Sequence, residues 1–329
     1  MMHAEKPKLD DLKKKVILVT GGAGFIGSHL CRALLNRDAK VINLDNFSNN
    51  YPPVFKKRNI AGLLSHPAFH LYNGDIRDYR LLEMINKRHP ITEIIHLAAL
   101  AGVRKSISDP LEYVDIDIKG TVNLLEFAAK HKPGRFIFAS SSSVYGAGSL
   151  PFRETDRVDR PVSPYAAAKR AGELFGRTYY ELYNIPVACL RFFTVYGPCQ
   201  RPDMAVYHFT RLIDQNKEVP VFGLGKIKRD FTYVDDVVEG IIKTLSIPLT
   251  YALFNLGTAK STSLLDLIEM ISNKLGKKAR ITYYPLQPGD APETLADLTH
   301  SSKTLGFKPT VSLDDGIKSF ISWYRRIKR

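Results

Sequence analysis

The chain has 329 residues, 44% hydrophobic and 24% charged. That composition belongs to a folded globular protein and excludes a disordered, collagen-like or purely coiled-coil chain. The 47 basic and 33 acidic residues leave a net charge of +14, which favours anionic partners. The densest basic clusters, Lys13–Lys15, Lys56–Arg58 and Arg325–Arg329, carry no interleaved aromatics. They read as solvated faces, not as a nucleic-acid platform. At about 150 residues per domain the length suits two lobes, and no apolar run reaches the roughly 18 residues that a spanning helix needs. Lys13–Lys15 followed by Val16–Val19 looks superficially like a signal peptide, but the apolar run breaks at once into glycines. Cys31, Cys189 and Cys199 cannot all pair within the chain, and none has metal-ligand spacing to another. These features predict a cytoplasmic protein with no metal, no membrane partner and no nucleic-acid partner.

In chain order, β-branched runs at Val16–Thr20, Val41–Asp45, His70–Tyr72, Glu93–Leu97, Arg135–Ser140 and Val187–Phe192 predict strands. Helix-period stretches lie between them. Leu30, Ala33 and Leu34 mark one apolar stripe, and longer helices are predicted over Leu111–Lys130 and Pro164–Tyr183. Such alternation predicts an α/β fold with a doubly wound parallel (Rossmann) sheet over residues 1–196. From 197 to 329 prolines and glycines punctuate shorter elements, which predicts a smaller, discontinuous C-terminal substrate domain. Strands near Phe231–Val234 and Ala252–Leu256 are expected to return to the main sheet, so residues 229–258 rejoin the first domain.

The glycine-rich segment Thr20-Gly21-Gly22-Ala23-Gly24-Phe25-Ile26-Gly27 stands between a strand and a helix. Glycines there permit a tight turn and let the backbone approach a pyrophosphate, which then meets the positive end of the helix. Asp45 ends the second strand, where a carboxylate accepts hydrogen bonds from a ribose 2′-hydroxyl and repels a 2′-phosphate. Asn46-Phe47-Ser48 follows without an arginine, so NAD is predicted over NADP. Asp75 and Ile76 fall at the adenine end. Leu97, Ala98 and Ala99 form a small-residue floor after the fourth strand, and the neighbouring His96 reads as a packed structural histidine.

Tyr165 and Lys169 project from one face of a predicted helix. An ammonium one turn from a phenol favours the phenolate, a general base for an alcohol. Tyr324 and Lys328 have the same spacing in the tail, where no chemistry is expected. Context separates the two pairs. The fifth strand ends in Ser140-Ser141-Ser142-Ser143-Val144-Tyr145-Gly146, which places hydroxyls at the carboxyl edge of the sheet.

The glycine loop, the serine cluster and Tyr165–Lys169 together resemble the extended short-chain dehydrogenase/reductases that act on nucleotide sugars. The resemblance covers about residues 15–327. It implies a tightly held NAD, contacted also by Tyr165 and Lys169, which oxidises the sugar's C4 hydroxyl and then returns the hydride. It implies Ser141 as the catalytic serine, and a homodimer through a bundle of the two long helices. Sugar-nucleotide 4,6-dehydratases carry an Asp-Glu pair after the catalytic residue, and UDP-glucuronate decarboxylases a glutamate two places on. Here Ser142 and Ser143 stand there, which disfavours dehydration and leaves 4-epimerisation.

The resemblance also assigns the substrate contacts. Phe222 matches the aromatic that stacks on uracil, and Arg229 the arginine that grips the diphosphate. Gln287 and Asp290 fall where UDP-galactose 4-epimerases have an arginine before the aspartate, and Gln287 departs from that pattern. Thr194 replaces the asparagine usual in galactose and N-acetylhexosamine epimerases. Its segment, with Arg201–Ala205 and Leu286–Asp290, resembles UDP-glucuronate 4-epimerases, although Cys199-Gln200 departs from a common Trp-Gly. A 4-keto uronic acid is a β-keto acid, and neutral donors at Ser142, Ser143 and Thr194, with Arg201, would hold its carboxylate. The expected reaction is UDP-glucuronate to UDP-galacturonate. UDP-glucose 4-epimerisation is the alternative, with decarboxylation, net dehydrogenation or a non-catalytic nucleic-acid-binding relative behind it.

Overall fold

The computed structural model describes residues 12–287, 289 and 291–328. Its first half alternates strand and helix: β1 (Val16–Thr20), α1 (Phe25–Leu35), β2 (Lys40–Asp45), α2 (Pro53–Ile60), β3 (Phe69–Asn73), α3 (Tyr79–Arg88) and β4 (Glu93–His96). Two short helices, α4 (Val103–Ser108) and α5 (Pro110–Tyr113), lead through a π-helical turn at Val114–Lys119 into α6 (Gly120–His131). Then come β5 (Phe136–Ser141), α7 (Pro164–Tyr183), β6 (Val187–Phe192) and β7 (Thr194–Tyr196). The remainder holds α8 (Ala205–Asp214), β8 (Glu218–Phe222), β9 (Lys228–Tyr233), α9 (Val234–Thr244), β10 (Tyr251–Leu256) and β11 (Ser261–Ser263). It ends with α10 (Leu264–Leu275), β12 (Arg280–Tyr284), α11 (Thr299–Leu305) and α12 (Leu313–Lys328).

Seven parallel strands form one sheet in the order β10-β6-β5-β4-β1-β2-β3. β5 and β6 are buried along their whole length because helices cover both faces, which is why they read as unbroken apolar runs. The order reverses between β1 and β4, so their following segments part and leave a crevice at the carboxyl edge. This is the doubly wound α/β sheet expected from the sequence. β10 joins it through β6, as expected. β9 does not: it pairs with β7 and β11 in a separate three-stranded sheet. The edge of β6 that β9 could have joined is already occupied by β10. The predicted helix over Leu111–Lys130 is likewise interrupted, by the π-helical turn.

α7 starts and stops where its sequence dictates. The Ser163 hydroxyl accepts the Ala166 N–H at 3.2 Å, Pro164 occupies the first turn, and Asn184 closes the helix at φ 55°. All three cysteines are free thiols, Cys31 and Cys189 being buried. Among the described residues no helix is long and apolar enough to cross a membrane.

His29 clamps α1 to α9. Its Nδ1–H donates to Asp235 Oδ1 at 3.1 Å and its Nε2–H to the Pro198 carbonyl at 2.9 Å. Both partners are acceptors, so the two bonds together require the imidazolium. Burial alone would lower the pKa, but contacts with Asp235 and Cys199 carry it from 6.5 up to about 9. A raised histidine contributes stability that is complete below pH 6.5 and lost as pH rises through about 9. We expect His29→Gln to cost on the order of 1–2 kcal/mol at neutral pH and to flatten the decline toward pH 9, read by denaturant titrations across that range.

Candidate active site

The crevice at the switch point is a cleft of about 430 Å³. Its floor is the glycine loop. Gly21 has φ +72°, and a Cβ there would stand 2.8 Å from the backbone of Ala98; a Cβ on Gly27 would strike the Gly21 carbonyl. The loop therefore lies flush on the end of β4 and α1 lies flush on the loop, which leaves a backbone cradle at a helix N-terminus. Gly24, Phe25, Ile26, Ile76, Leu97, Ala98 and Ala99 line the same cleft.

Asp45 stands at the mouth of this cradle. Its Oδ2 accepts the Ala23 N–H at 3.0 Å and its Oδ1 the Phe47 N–H at 2.9 Å. Asp75 is gripped by Arg77 through Nε at 2.8 Å and Nη2 at 2.9 Å, and by Asn46 Nδ2 at 3.0 Å. The Arg77 contact holds its carboxyl down at about 2. A pyrophosphate cradle with a carboxylate at the end of β2 fits NAD.

Ser141 ends β5, and its Oγ accepts the Ser143 N–H at 3.1 Å, which starts the short turn Ser142–Tyr145. Tyr165 lies in the first turn of α7 and packs edge-on against Tyr113, ring centroids 6.3 Å apart. Lys169 is buried. Its Nζ donates to the Ala139 carbonyl at 3.0 Å and lies 5.8 Å from the Tyr165 ring centroid. Ser141, Ser142, Ser143, Tyr165, Lys169, Thr194, Arg201 and Arg229 all line the cleft. Arg201 holds Asp203 through Nε at 3.1 Å and Nη2 at 2.8 Å.

Phe222 and Gln287 do not line the cleft. The Arg104 guanidinium covers the Phe222 ring at 4.4 Å, and Tyr284 packs beside it at 5.6 Å. Gln287 Nε2 turns back to the Pro285 carbonyl at 3.4 Å, whereas Gly289 and Ala291 beyond it reach the cleft. Asp290 lies outside the described residues. His96 is structural: buried between Thr20 Oγ1 at 2.7 Å and Thr121 Oγ1 at 3.0 Å, it has its pKa pushed by burial to about 3. Tyr324 and Lys328, remote from the cleft, both donate to Asp214 Oδ2, at 3.2 and 2.5 Å.

The profile of the GDP-mannose 4,6-dehydratase family matches residues 18–320. The chain belongs to that family. Among its relatives, a UDP-glucuronate 4-epimerase of Thermodesulfobacterium geofontis is 40% identical over 307 residues, 93% of this chain and 95% of that protein. The UDP-glucuronic acid 4-epimerase of Bacillus cereus, solved with UDP-glucuronic acid and NAD, superposes with a TM-score of 0.89 at 38% identity, covering 94% and 99% of the two chains. A UDP-glucose 4-epimerase of Thermotoga maritima, solved with UDP-glucose, gives 0.88 at 32% identity, covering 95% and 99%.

Sequence reasoning missed two buried charged residues, one lining this cleft and one close enough to Lys169 to feel its charge. Lys56 belongs to a cluster read as solvated, yet it is buried and lines the cleft. Asp117 sits in the π-helical turn, where Oδ1 accepts the Leu100 N–H at 2.7 Å and the buried Oδ2 has no hydrogen-bond partner among the described residues. Burial raises its pKa from 3.8 to about 6, with the charge of Lys169 opposing. A raised carboxyl favours the folded state least where it is ionised, so its contribution falls as pH rises from 3.8 to 6. Asp117→Asn should therefore stabilise the protein by on the order of 2 kcal/mol above pH 6 and lose that advantage toward pH 4, measured by denaturation at both pH values.

Proposed function

We propose that this chain is an NAD-dependent UDP-sugar 4-epimerase that interconverts UDP-glucuronate and UDP-galacturonate. One observation carries this reading. Ser141, Tyr165 and Lys169 converge beside the dinucleotide cradle, and the wall around them is hydroxyls and arginine with no carboxylic acid at positions 142 and 143. The kinship to UDP-glucuronate 4-epimerases supports the same sugar.

Bound NAD supplies a hydride acceptor at C4 that later becomes the donor. The chain's own residues handle the proton. Ser141 Oγ donates to the C4 oxygen and fixes it, the Tyr165 phenolate takes the hydroxyl proton, and the Lys169 ammonium offsets the phenolate charge. For the return step the phenol gives the proton back after the 4-keto sugar has presented its other face. The ketone stands β to the C6 carboxylate, so loss of CO₂ is the competing reaction. Ser142, Ser143 and Thr194 donate neutral hydrogen bonds to that carboxylate, with Arg201 as the cationic contact, and Arg229 meets the diphosphate. No carboxyl at 142 or 143 is available for proton abstraction at C5, which separates this reading from dehydration.

We also infer a homodimer and a cytoplasmic location. Leu111 is 78% exposed, Leu182 65%, and Val114 and Leu174 51% each. They lie on α5, the π-helical turn and α7, which pack side by side, and a second copy would cover them. Free thiols accord with the cytoplasm.

Protein purified without added NAD should convert UDP-glucuronate to UDP-galacturonate by NMR and leave UDP-glucose unchanged; conversion of UDP-glucose alone would overturn the sugar assignment. Tyr165→Phe should cut turnover by about 10²-fold or more with UDP-sugar binding nearly intact. Combining Ser142→Ala with Thr194→Ala should release UDP-pentose, and an unaltered product profile would remove those hydroxyls from the mechanism.

A further inference from the structure

A second concavity lies where α1, α2, α9 and α12 meet, and among the described residues it shares no wall residue with the active-site cleft. It holds about 560 Å³, within the range of about 300–1,000 Å³ that small-molecule sites occupy. Two basic clusters far apart in the sequence meet on its wall. Arg58 comes from the run at 56–58 and Arg326 from the C-terminal run, and Arg32 of α1 joins them. The carboxylates of the wall are Asp235 and Glu239, and both already have cations: Asp235 holds the His29 imidazolium at 3.1 Å, and Glu239 pairs with Arg37. Among the described residues none of the three arginines forms an ion pair. Arg58 is braced, its guanidinium 5.0 Å from the Phe55 ring centroid and 5.8 Å from that of Trp323.

We propose that this concavity is an anion site for a phosphoanhydride chain, the linked phosphates of an inorganic polyphosphate or of a nucleoside triphosphate, held by Arg32, Arg58 and Arg326. A guanidinium presents a planar fork of donors that matches phosphate oxygens, and stacking fixes the Arg58 fork before any ligand arrives. The wall carries more cations than carboxylates, so an anion relieves repulsion instead of adding to it. A single phosphate fills little of this volume. Linked phosphates carry charge along their length and reach cations that separate helices present. Asn59, in the same wall, donates to the Ala23 carbonyl of the glycine loop at 3.3 Å, so an occupant sits one hydrogen bond from the dinucleotide cradle. The site does not depend on what chemistry the active-site cleft performs.

The site contains its own reporter, because Trp323 is the only tryptophan in the chain. Tripolyphosphate, ATP and sulfate are titrated into the purified protein at low salt while tryptophan emission is followed. Tripolyphosphate and ATP should each give a saturable change, with affinity that falls as salt is added. Equal affinities identify the phosphate chain alone as what is recognised; tighter binding of ATP identifies a nucleotide as the natural source. Arg32→Gln and Arg326→Gln should each weaken binding by about fivefold or more, the worth of one charge-assisted contact at an exposed rim. Both side chains are exposed, so these variants test the site even if Arg58→Gln disturbs folding. No saturable change in wild type overturns the proposal. So does sulfate that binds as tightly as tripolyphosphate, and so does binding that survives in Arg32→Gln with Arg326→Gln, which would belong to the other cleft.

Discussion

The chemistry of this cleft depends on one ion pair beneath it. Arg191 of β6 and Glu173 of α7 are both fully buried and meet through two hydrogen bonds, Nε to Oε1 at 2.8 Å and Nη2 to Oε2 at 2.9 Å. Ser140 of β5 donates to the same carboxylate at 2.6 Å, Arg170 at 3.0 Å, and the Arg191 guanidinium lies 4.7 Å from the Tyr145 ring centroid. Helix and sheet are thus locked by planar, directional contacts between the residues flanking Ser141 and those flanking Lys169. Apolar packing tolerates sliding, whereas a forked guanidinium–carboxylate pair does not. Such burial is a costly way to gain stability and a good way to fix register. A general base must sit within hydrogen-bond reach of its proton, so register is what the site requires.

The segments after β7 use the same device away from the large sheet. Buried Asp230 accepts from Thr258 N–H at 2.8 Å, Thr258 Oγ1 at 2.7 Å, Ala259 N–H at 3.0 Å and Ala296 N–H at 3.1 Å, and so ties two loop segments to strand β9 through one carboxylate. Asp236 binds Thr310 N–H at 2.9 Å and Val311 N–H at 3.2 Å in the same manner. Arg229 precedes Asp230, so the side chain that faces the cleft hangs from a knot of hydrogen bonds and not from a flexible loop.

Much of this was legible in the sequence because it is local. Strand β1, strand β6 and helix α7 start and end at the predicted residues, since apolar runs, a serine cap, a proline and a left-handed asparagine are written in neighbouring positions. The glycine loop and Ser141–Tyr165–Lys169 were legible because each is a short pattern anchored to a strand end. What escaped depends on partners distant in the chain. Lys56 is buried only because Asp45 and Tyr51 face it. Phe222 is covered because α4 brings Arg104 across it. β9 looks like any strand of the main sheet, yet it pairs with β7 and β11 while β10 takes the β6 edge. The Tyr324–Lys328 pair shows the converse: identical spacing, with Asp214 taking both side chains.

The last strand of the large sheet has a consequence for how the protein can be divided. β10 pairs with β6 along Tyr251–Leu256, after the chain has already passed through α8, β8, β9 and α9. Cutting the polypeptide after Tyr196 would strip that strand away and bare the whole backbone edge of β6 under an apolar face, the geometry that invites edge-to-edge aggregation. Residues up to Tyr196 are therefore no detachable cassette that could be grafted elsewhere. A chimera that respects this sheet must carry Tyr251–Leu256 along with the first half, and its crossovers must fall on either side of that returning strand.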